Sequence, residues 1–296
     1  MSVLVFGSAA ADIVFRLPSL PHPGETILGD AAPLQAGGKG ANQALAAARD
    51  GARVAFAGAI GADAAGEVVR GPLLAAGVDC SRLAVVDRPT GIAAVCVDPE
   101  GANLIAVATG ANARASAAQV EEAALHPGLV LLLQMEVPAA ETAALIFRAR
   151  AQGARIILNL APAAALDPAA LRALDLLVVN EHEAAWLAAQ LGAGAGAEAL
   201  HAALGIGVAV TLGERGAMAA TAAGVVTLPG LPVRAVDTVG AGDCWCGVLA
   251  AALDRDLPLE AAMRRANAAA ALSCTRPGAG AAMPDAAEID ALLRKG

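Results

Sequence analysis

The residues best placed to do chemistry lie in the run 237–243 (D-T-V-G-A-G-D), directly before an apolar, helix-like stretch. Small residues at a helix start leave backbone N–H groups free to face an anion, and the helix dipole adds positive potential there. We therefore expect Asp243 to accept a proton from a hydroxyl while the amides of Ala241, Gly242 and Asp243 hold phosphate charge. The alternative is that Asp243 only caps the helix.

A second small-residue segment spans 37–42 (G-G-K-G-A-N). Its glycines let the backbone approach a ligand closely, and Asn42 offers both a donor and an acceptor. The segment is not a P-loop, because Pro33 stands where the first glycine should be and Gly40 follows the lysine where Ser or Thr is needed. A ligand loop and a plain glycine turn both stay open.

Polar residues also follow the apolar run 175–179, which is typical of a buried strand. In α/β proteins ligands bind at the carboxyl ends of parallel strands. Glu183 is placed there to orient a water on Mg²⁺, and Asn180 is placed to contact phosphate. The alternative is a helix that begins with Asn180 as its N-cap and has acidic residues in its first turn.

Two further strand ends carry polar or small residues. Thr211 is placed to bond a phosphate oxygen, while Gly213 and Gly216 permit a tight turn after it. Asp12, after the first strand, is placed to bond sugar hydroxyls. The alternatives are an ordinary glycine turn and a solvated loop acid. The joint placement of these groups at strand ends favours a phosphoryl-transfer site.

The elements that must position these residues alternate between apolar runs and alanine-rich helical stretches. This alternation predicts an α/β fold with a doubly wound, mainly parallel sheet and helices on both faces. The predicted strands are 3–7, 53–58, 129–133, 155–160, 175–179 and 207–212, and the predicted helices are 40–50, 63–76, 138–151, 181–191 and 241–254.

Two segments break the alternation and predict a small β lid. Segment 11–36 holds several prolines and glycines with strand patterns at 13–17 and 26–28, and 91–107 is typical of a hairpin with a turn at 98–101. Strands without crossover helices should form a separate sheet that can close over a ligand. The predicted division is an α/β domain of 1–10, 37–90 and 108–296, and a lid of 11–36 and 91–107.

Composition excludes several classes of protein. The chain has 57% hydrophobic residues, a net charge of −8 and no basic patch, so a nucleic-acid-binding protein is not expected. Its apolar excess is mainly alanine, which argues against a membrane span. The chain starts without a secretory signal pattern, so we expect a cytoplasmic protein. Five scattered cysteines without a C-x-x-C pair argue against a disulfide framework or a zinc site.

Cys244 and Cys246 fall in the first turn of the helix that carries Asp243. The helix dipole there can lower a thiol pKa, which would make the protein sensitive to oxidation. The alternative is that both cysteines are small packing residues.

Together these motifs resemble the ribokinase-like (PfkB) carbohydrate kinases, and their order is most similar to that of the ribokinases. The match spans nearly the whole chain and is most specific at D-T-V-G-A-G-D. The N-terminal signature is matched by Gly7-Ser8 with Asp12, by 23–26 (P-G-E-T) and by 37–42. The resemblance implies a kinase that uses ATP and Mg²⁺, with K⁺ as a further activator, and a homodimer formed through the lid.

The resemblance also implies a role for each matched position. The catalytic group would be Asp243 as the base, with Gly240, Ala241 and Gly242 at the anion hole. The sugar site would be lined by Asp12, Gly38, Lys39, Asn42 and Glu136. ATP would be contacted by Asn180, Thr211, Gly213, Gly216 and Asn267. Glu183 would support Mg²⁺ through water, and the monovalent-cation site would comprise Asp237 with carbonyls of Val239, Ser273, Arg276 and Gly278.

The chain departs from the ribokinase pattern in three places. Ala10 stands where ribokinases have an asparagine, which implies one hydroxyl contact fewer. Residues 244–247 read C-W-C-G instead of T-F-N-G, and Ala282 replaces a serine near the cation site. A nucleoside kinase of the same fold is one rival, which the scarcity of aromatic residues disfavours. The other rival is a non-catalytic sugar-binding regulatory protein, which the intact Asp243 and glycines disfavour.

Overall fold

The computed structural model describes residues 2–29, 32–99 and 103–294. Its strands are β1 (Ser2–Phe6), β2 (Ala10–Arg16), β3 (Leu34–Gly37), β4 (Val54–Gly61), β5 (Asp79–Val86), β6 (Gly91–Val97), β7 (Asn103–Ala108), β8 (Leu129–Leu133), β9 (Arg155–Asn159), β10 (Leu176–Asn180), β11 (Gly207–Thr211), β12 (Ala217–Thr221) and β13 (Gly224–Leu228). Its helices are α1 (Lys39–Arg49), α2 (Ala64–Ala75), α3 (Ala139–Ala151), α4 (Pro168–Arg172), α5 (Glu181–Leu191), α6 (Ala197–Leu204), α7 (Ala241–Asp254), α8 (Leu259–Ser273) and α9 (Ala286–Leu293).

A large sheet forms the centre of the molecule, with the strand order β13-β12-β11-β10-β9-β8-β1-β4-β5. The strands from β11 to β5 are parallel, and β12 and β13 add an antiparallel hairpin at one edge. All six predicted strands of the α/β sheet and all five predicted helices are present. The predicted fold class is confirmed.

Helices cover both faces of this sheet because successive strand residues point to opposite sides. In β1, Val3 and Val5 join the core under α1, α2, α7, α8 and α9, whereas Leu4 and Phe6 join the core under α3 to α6. Strands buried on both faces explain the uninterrupted apolar runs of the sequence.

The strand order reverses between β1 and β8, and this crevice is where ligands bind in open α/β sheets. The residues that follow the two strands meet there. The hydroxyl of Ser8, after β1, donates to the Glu136 carboxylate, after β8, at 2.5 Å.

The second sheet has the order β3-β2-β6-β7 and lies apart from the central one. Its strands β6 and β7 form the predicted hairpin, although Glu100 and Gly101 of the predicted turn lie outside the described residues. The strand predicted at 26–28 is wrong, because these residues are irregular and the Leu28 side chain is 87% exposed, with no neighbouring strand to pair.

Candidate active site

Two adjoining cavities meet at one carboxylate, that of Asp243. The lid cavity, about 530 Å³, lies between the small sheet and the central sheet. The strand-end cavity, about 220 Å³, lies beyond the carboxyl ends of β9, β10 and β11. Lys39, Gly240 and Asp243 line both cavities. A group bound in one cavity is therefore a neighbour of a group bound in the other, across Asp243.

The start of α7 presents Asp243 to this junction. The N-cap is Gly240, whose φ of 78° lies in the left-handed region that favours glycine. Its carbonyl accepts from the Cys244 N–H at 2.8 Å. Asp243 is thus a first-turn residue and not the cap, which removes the capping alternative.

The helix start leaves backbone N–H groups for an anion, but fewer than predicted. Gly242 and Asp243 have no intrahelical acceptor for their N–H groups at this position. The Ala241 N–H instead donates to the Thr238 carbonyl at 3.2 Å. A side chain added at Gly242 would meet no atom within 4 Å, so the space in front of these amides is open.

The Asp243 carboxylate is buried and held by two amide side chains. Asn42 Nδ2 donates to its Oδ2 and Gln43 Nε2 to its Oδ1, each at 3.1 Å. Burial raises the pKa of Asp243, and the Lys39 ammonium together with the two hydrogen bonds opposes that rise. A carboxyl with a raised pKa is better suited to accept a proton than an exposed aspartate.

Lys39 begins α1 and lies among carboxylates. The pKa of its ammonium is raised, mainly by the charge of Asp243 and further by Glu136 and Glu183, against the opposing effect of burial. Its backbone N–H donates to Glu136 Oε2 at 3.1 Å. The charged ammonium is thereby kept at the junction of the two cavities.

Asp12 lies on β2 and faces the lid cavity. Burial, followed by the charges of Glu136 and Asp243, raises its pKa to about 6, and Lys39 opposes the rise. A Cβ at Gly37 would lie 2.2 Å from Asp12 Oδ2, so only glycine leaves room for this carboxylate. The structure thus brings all five predicted sugar-site residues to the lid cavity, which Ala10 also lines.

Asn180 and Glu183 form a capping box at the start of α5. This agrees with the alternative drawn from the sequence, a helix that begins with Asn180 as its N-cap. Asn180 Oδ1 accepts from the Glu183 N–H at 2.9 Å, and Glu183 Oε2 accepts from the Asn180 N–H at 2.8 Å. Both residues also line the strand-end cavity, together with Thr211. Burial raises the pKa of Glu183.

The other residues predicted to contact ATP do not line this cavity. Asn267 accepts from Trp245 Nε1 at 2.8 Å and donates to the Pro229 carbonyl at 3.2 Å, which occupies its amide within the protein. Gly216 is required by packing, because a Cβ there would lie 2.1 Å from the Leu228 carbonyl oxygen. Gly213 opens the turn after β11 and has open space around it.

The residues predicted for a monovalent cation lie around Asp237. The Asp237 carboxylate accepts from the N–H groups of Val239, at 3.0 Å, and Gly278, at 2.9 Å. The Ser273 carbonyl accepts from the Arg276 N–H at 3.3 Å, and the Arg276 side chain is paired with Glu288. A carboxylate with backbone carbonyls, the donor set predicted here from the sequence, suits a monovalent cation better than a transition metal.

The two cysteines of α7 do not have the lowered pKa that the helix dipole predicted. Burial raises the pKa of Cys244 to about 12 and that of Cys246 well above its usual value. Both thiols are buried, so desolvation outweighs the dipole. The prediction of a lowered thiol pKa is wrong, and the burial of both thiols agrees with the packing alternative.

The amide side chains behind Asp243 were not among the residues predicted from the sequence. Gln43 is fully buried and bonds Asp243, Asn159 and Gln134. Nothing in the local pattern separated it from an exposed glutamine.

The model of the pfkB family of carbohydrate kinases matches residues 1–286, nearly the whole chain. The chain therefore belongs to the pfkB carbohydrate kinase family, and it is an enzyme, which excludes the non-catalytic rival.

Relatives across this family agree with that assignment. The chain is 36% identical over 293 residues to the ribokinase of Haemophilus influenzae, covering 96% of this chain and 95% of that protein. Its structure matches that of Thermotoga maritima ribokinase with a TM-score of 0.90 at 31% identity, covering 99% of both chains. It matches Arabidopsis thaliana ribokinase complexed with ribose and ATP with a TM-score of 0.87 at 30% identity, covering 99% and 98% of the two chains.

None of the helices in the described ranges combines the length and hydrophobicity that a membrane span requires.

Proposed function

We propose that this kinase transfers the γ-phosphoryl group of ATP to a hydroxyl of ribose or a closely related pentose, with Asp243 as the general base. The observation that carries the proposal is the position of Asp243, which lines both the lid cavity and the strand-end cavity. Relatives named ribokinase, and a relative complexed with ribose and ATP, support the two substrates.

The acceptor sugar binds in the lid cavity. Asp12 and Asn42 bond its hydroxyls, and one hydroxyl points at the Asp243 carboxylate. We propose that the small sheet, with the predicted boundaries 11–36 and 91–107, acts as a lid that closes over the sugar and excludes water. The same sheet is the proposed contact surface of a homodimer.

The phosphates of ATP bind in the strand-end cavity. The N–H groups of Gly242 and Asp243 and the Lys39 ammonium hold the charge of the transferred group, and Asn180 and Thr211 contact the remaining phosphates. The described residues contain no cluster of three or more His, Cys, Asp or Glu side chains that could hold a metal. This suits Mg²⁺, which is commonly bound through one carboxylate, waters and substrate phosphates. Glu183 would hold it through water, and the ion would neutralise phosphate charge.

The chemical step is an in-line displacement. Asp243 takes the proton of the sugar hydroxyl as that oxygen forms a bond to the γ-phosphorus, and the bond from phosphorus to the bridging oxygen breaks to release ADP. The Asp237 region would hold a potassium ion next to the loop that leads into α7, with the carbonyls of Val239, Ser273, Arg276 and Gly278 as its other ligands.

A nucleoside is the second candidate acceptor. The lid cavity of about 530 Å³ has apolar walls at Val95, Val107 and Met135, and this lining could also accommodate a base. Assay of ADP release over a panel of pentoses, hexoses and nucleosides separates the candidates. Preferred turnover of a nucleoside would contradict the pentose assignment and leave the role of Asp243 intact.

Asp243→Asn tests the proposed base. The amide keeps the shape of the carboxylate but cannot accept the proton, so we expect kcat to fall by about a hundredfold or more, with ATP affinity within a few-fold of wild type. Steady-state kinetics and calorimetric titration with ATP measure the two quantities. Asp285→Asn is the matched control, since Asp285 caps α9 and asparagine caps a helix equally well. Near-wild-type turnover by Asp243→Asn would refute the assignment.

A further inference from the structure

Behind Asp243 lies a buried chain of amide side chains, formed by Gln134, Gln43 and Asn159. Gln43 Nε2 donates to Asp243 Oδ1 and to Asn159 Oδ1, each at 3.1 Å. Gln43 Oε1 accepts from Gln134 Nε2 at 2.7 Å. Both glutamines are fully buried, so neither can exchange these partners for bulk water.

Each amide in the chain is oriented by the next one. If the Gln43 amide were turned over, its oxygen would face the Asp243 carboxylate and the Asn159 oxygen, and its nitrogen would face the Gln134 nitrogen. Asn159 is itself oriented, because its Nδ2 donates to the Val178 carbonyl at 3.3 Å. The donor from Gln134 therefore keeps the donor of Gln43 aimed at Asp243.

Burying Gln134 at this position costs free energy of folding. Its Oε1 is one of three buried side-chain polar atoms without a hydrogen-bond partner among the described residues. A Cβ at Gly7 would lie 1.7 Å from that oxygen, so the turn after β1 must be glycine for Gln134 to fit. Leucine or methionine would fill the same space without burying an unmet acceptor. Such a cost, at the residue that orients the Gln43 amide behind Asp243, points to a role beyond packing.

We propose that Gln43 and Gln134 are positioning residues that fix the rotation of the Asp243 carboxylate. The inference rests on the proposed role of Asp243 as the base. Asn42 holds Oδ2 and Gln43 holds Oδ1, so the plane of the carboxylate has one orientation, and its free lone pairs face the junction of the cavities. Without the donor of Gln43, the carboxylate can rotate and spends less time aligned with the sugar hydroxyl.

The same hydrogen bond also favours the ionised carboxylate. Its loss should raise the pKa of Asp243 beyond the rise that burial already causes. The charged and titratable groups around Asp243 stay in place in such a variant: Asp12 on β2, Lys39 on α1, Glu136 after β8, Glu183 on α5, and Cys244 and Cys246 on α7. The pH at which activity is lost on the acid side should therefore move upward.

Gln43→Met is the direct test, because methionine has a similar size and cannot donate. We expect kcat to fall about tenfold or more while the KM values for sugar and ATP stay within about twofold, with the acid limb of the kcat profile at higher pH. Gln134→Met should also lower kcat, but by a smaller factor than Gln43→Met. In this variant Gln43 keeps its amide and loses only the hydrogen bond that orients it.

The double variant distinguishes a connected chain from two separate packing effects. If Gln134 acts only through Gln43, the pair Gln43→Met with Gln134→Met should have the kcat of Gln43→Met alone. Thr142→Val is the control, because Thr142 on α3 also buries an unpartnered hydroxyl but lies on the other face of the sheet. It should leave kcat and the pH profile unchanged.

Several outcomes would overturn the proposal. One is a Gln43→Met enzyme with wild-type kcat and acid limb, and another is a raised KM at unchanged kcat. If Gln43→Met does not fold, Gln134→Met carries the same test, and a wild-type kcat and acid limb there would overturn it. Asp243→Asn measured in parallel separates the two claims: an active Asp243→Asn refutes the base, whereas an inactive one beside a normal Gln43→Met refutes only the positioning chain.

Discussion

At the scale of the residue, the proposed contact between Asp12 and the sugar predicts that sugar binding depends on pH. Its pKa of about 6 means that it is ionised at neutral pH and protonated in mild acid. An ionised carboxylate accepts hydrogen bonds from sugar hydroxyls more strongly than a protonated one. We predict that sugar affinity falls as pH drops below about 6, by up to about tenfold per pH unit. Calorimetric titration of the nucleotide-free enzyme with the sugar, between pH 5 and pH 8, measures this affinity.

Asp12→Asn is the variant that assigns this pH dependence. Sugar affinity should be lower at neutral pH and no longer change between pH 5 and pH 7. Because the folded-state pKa of Asp12 lies above its ordinary value of 3.8, its contribution to stability is present below that value and lost as pH rises through about 6. Asp12→Asn should therefore be at least as stable as wild type at neutral pH. A wild-type affinity that is flat across the range would contradict the assignment.

The site could be predicted from the sequence where a residue type is unusual for its place. Asp243 among small residues and Lys39 among glycines are of this kind, and both lie at the junction of the cavities. Gln43 could not be predicted, because its partners Gln134 and Asp243 are 91 and 200 residues away along the chain. The packing of α1 against α7 brings Gln43 to Asp243, and the end of β8 brings Gln134 to Gln43.

At the scale of the element, the start of α7 is predicted to tolerate a side chain in folding but not in function. Gly242→Val projects an isopropyl group into open space at the start of α7, beside the strand-end cavity that is the proposed phosphate site. We expect an unchanged melting temperature and a loss of about a hundredfold in kcat/KM for ATP, because the phosphate can no longer reach the N–H groups. Thermal unfolding and steady-state kinetics check the two expectations.

Gly196→Val is the control, at another helix start. Gly196 is the N-cap of α6 and, like Gly242, has no atom within 4 Å of an added Cβ. Its backbone is extended, at φ −77° and ψ 156°, which suits valine, so the kinetics should stay near wild type and the stability within about 1 kcal/mol of it. If Gly242→Val bound and turned over ATP normally, the start of α7 would not be the phosphate site.

The elements found from the sequence are those with continuous apolar runs, such as β8 (L-V-L-L-L), because a strand buried on both faces needs apolar residues at every position. Two of the strands that were not predicted have exposed positions. β5 is the edge strand of the central sheet with alternating burial, and β13 at the other edge is largely exposed. Helix α8 was not among the predicted helices; its buried face includes the polar residues Asn267 and Ser273 as well as alanines.

At the scale of the whole molecule, α1 connects the active site to an anchor at its far end. The helix has 11 residues and is about 16 Å long. Its first turns carry Lys39, Asn42 and Gln43. At its other end Asp50 is fully buried and held at 2.5 Å by both Arg255, after α7, and Arg265 of α8. Arg265 also pairs with Asp290 of α9, so this cluster joins four helices behind the sheet.

Asp50→Asn should lower the stability of the whole molecule without changing the chemistry. It leaves Arg265, which is 11% exposed, and Arg255, which is 36% exposed, facing an uncharged amide, and this costs about 2 kcal/mol in free energy of unfolding. The turnover of the folded fraction should stay near wild type, because the active-site end of α1 is a helix length away. Urea denaturation and kcat per folded enzyme measure the two effects.

Glu67→Gln is the control. The pair that Glu67 forms with Arg70 is exposed and 3.6 Å long, so its loss should cost less than about 0.5 kcal/mol. If the Asp50→Asn enzyme had normal stability and normal kcat, the packing of α1, α7 and α8 would be enough to fix the active-site end of α1 without the charged cluster. If its stability were normal and its kcat lower, the charged cluster would act on the chemistry itself.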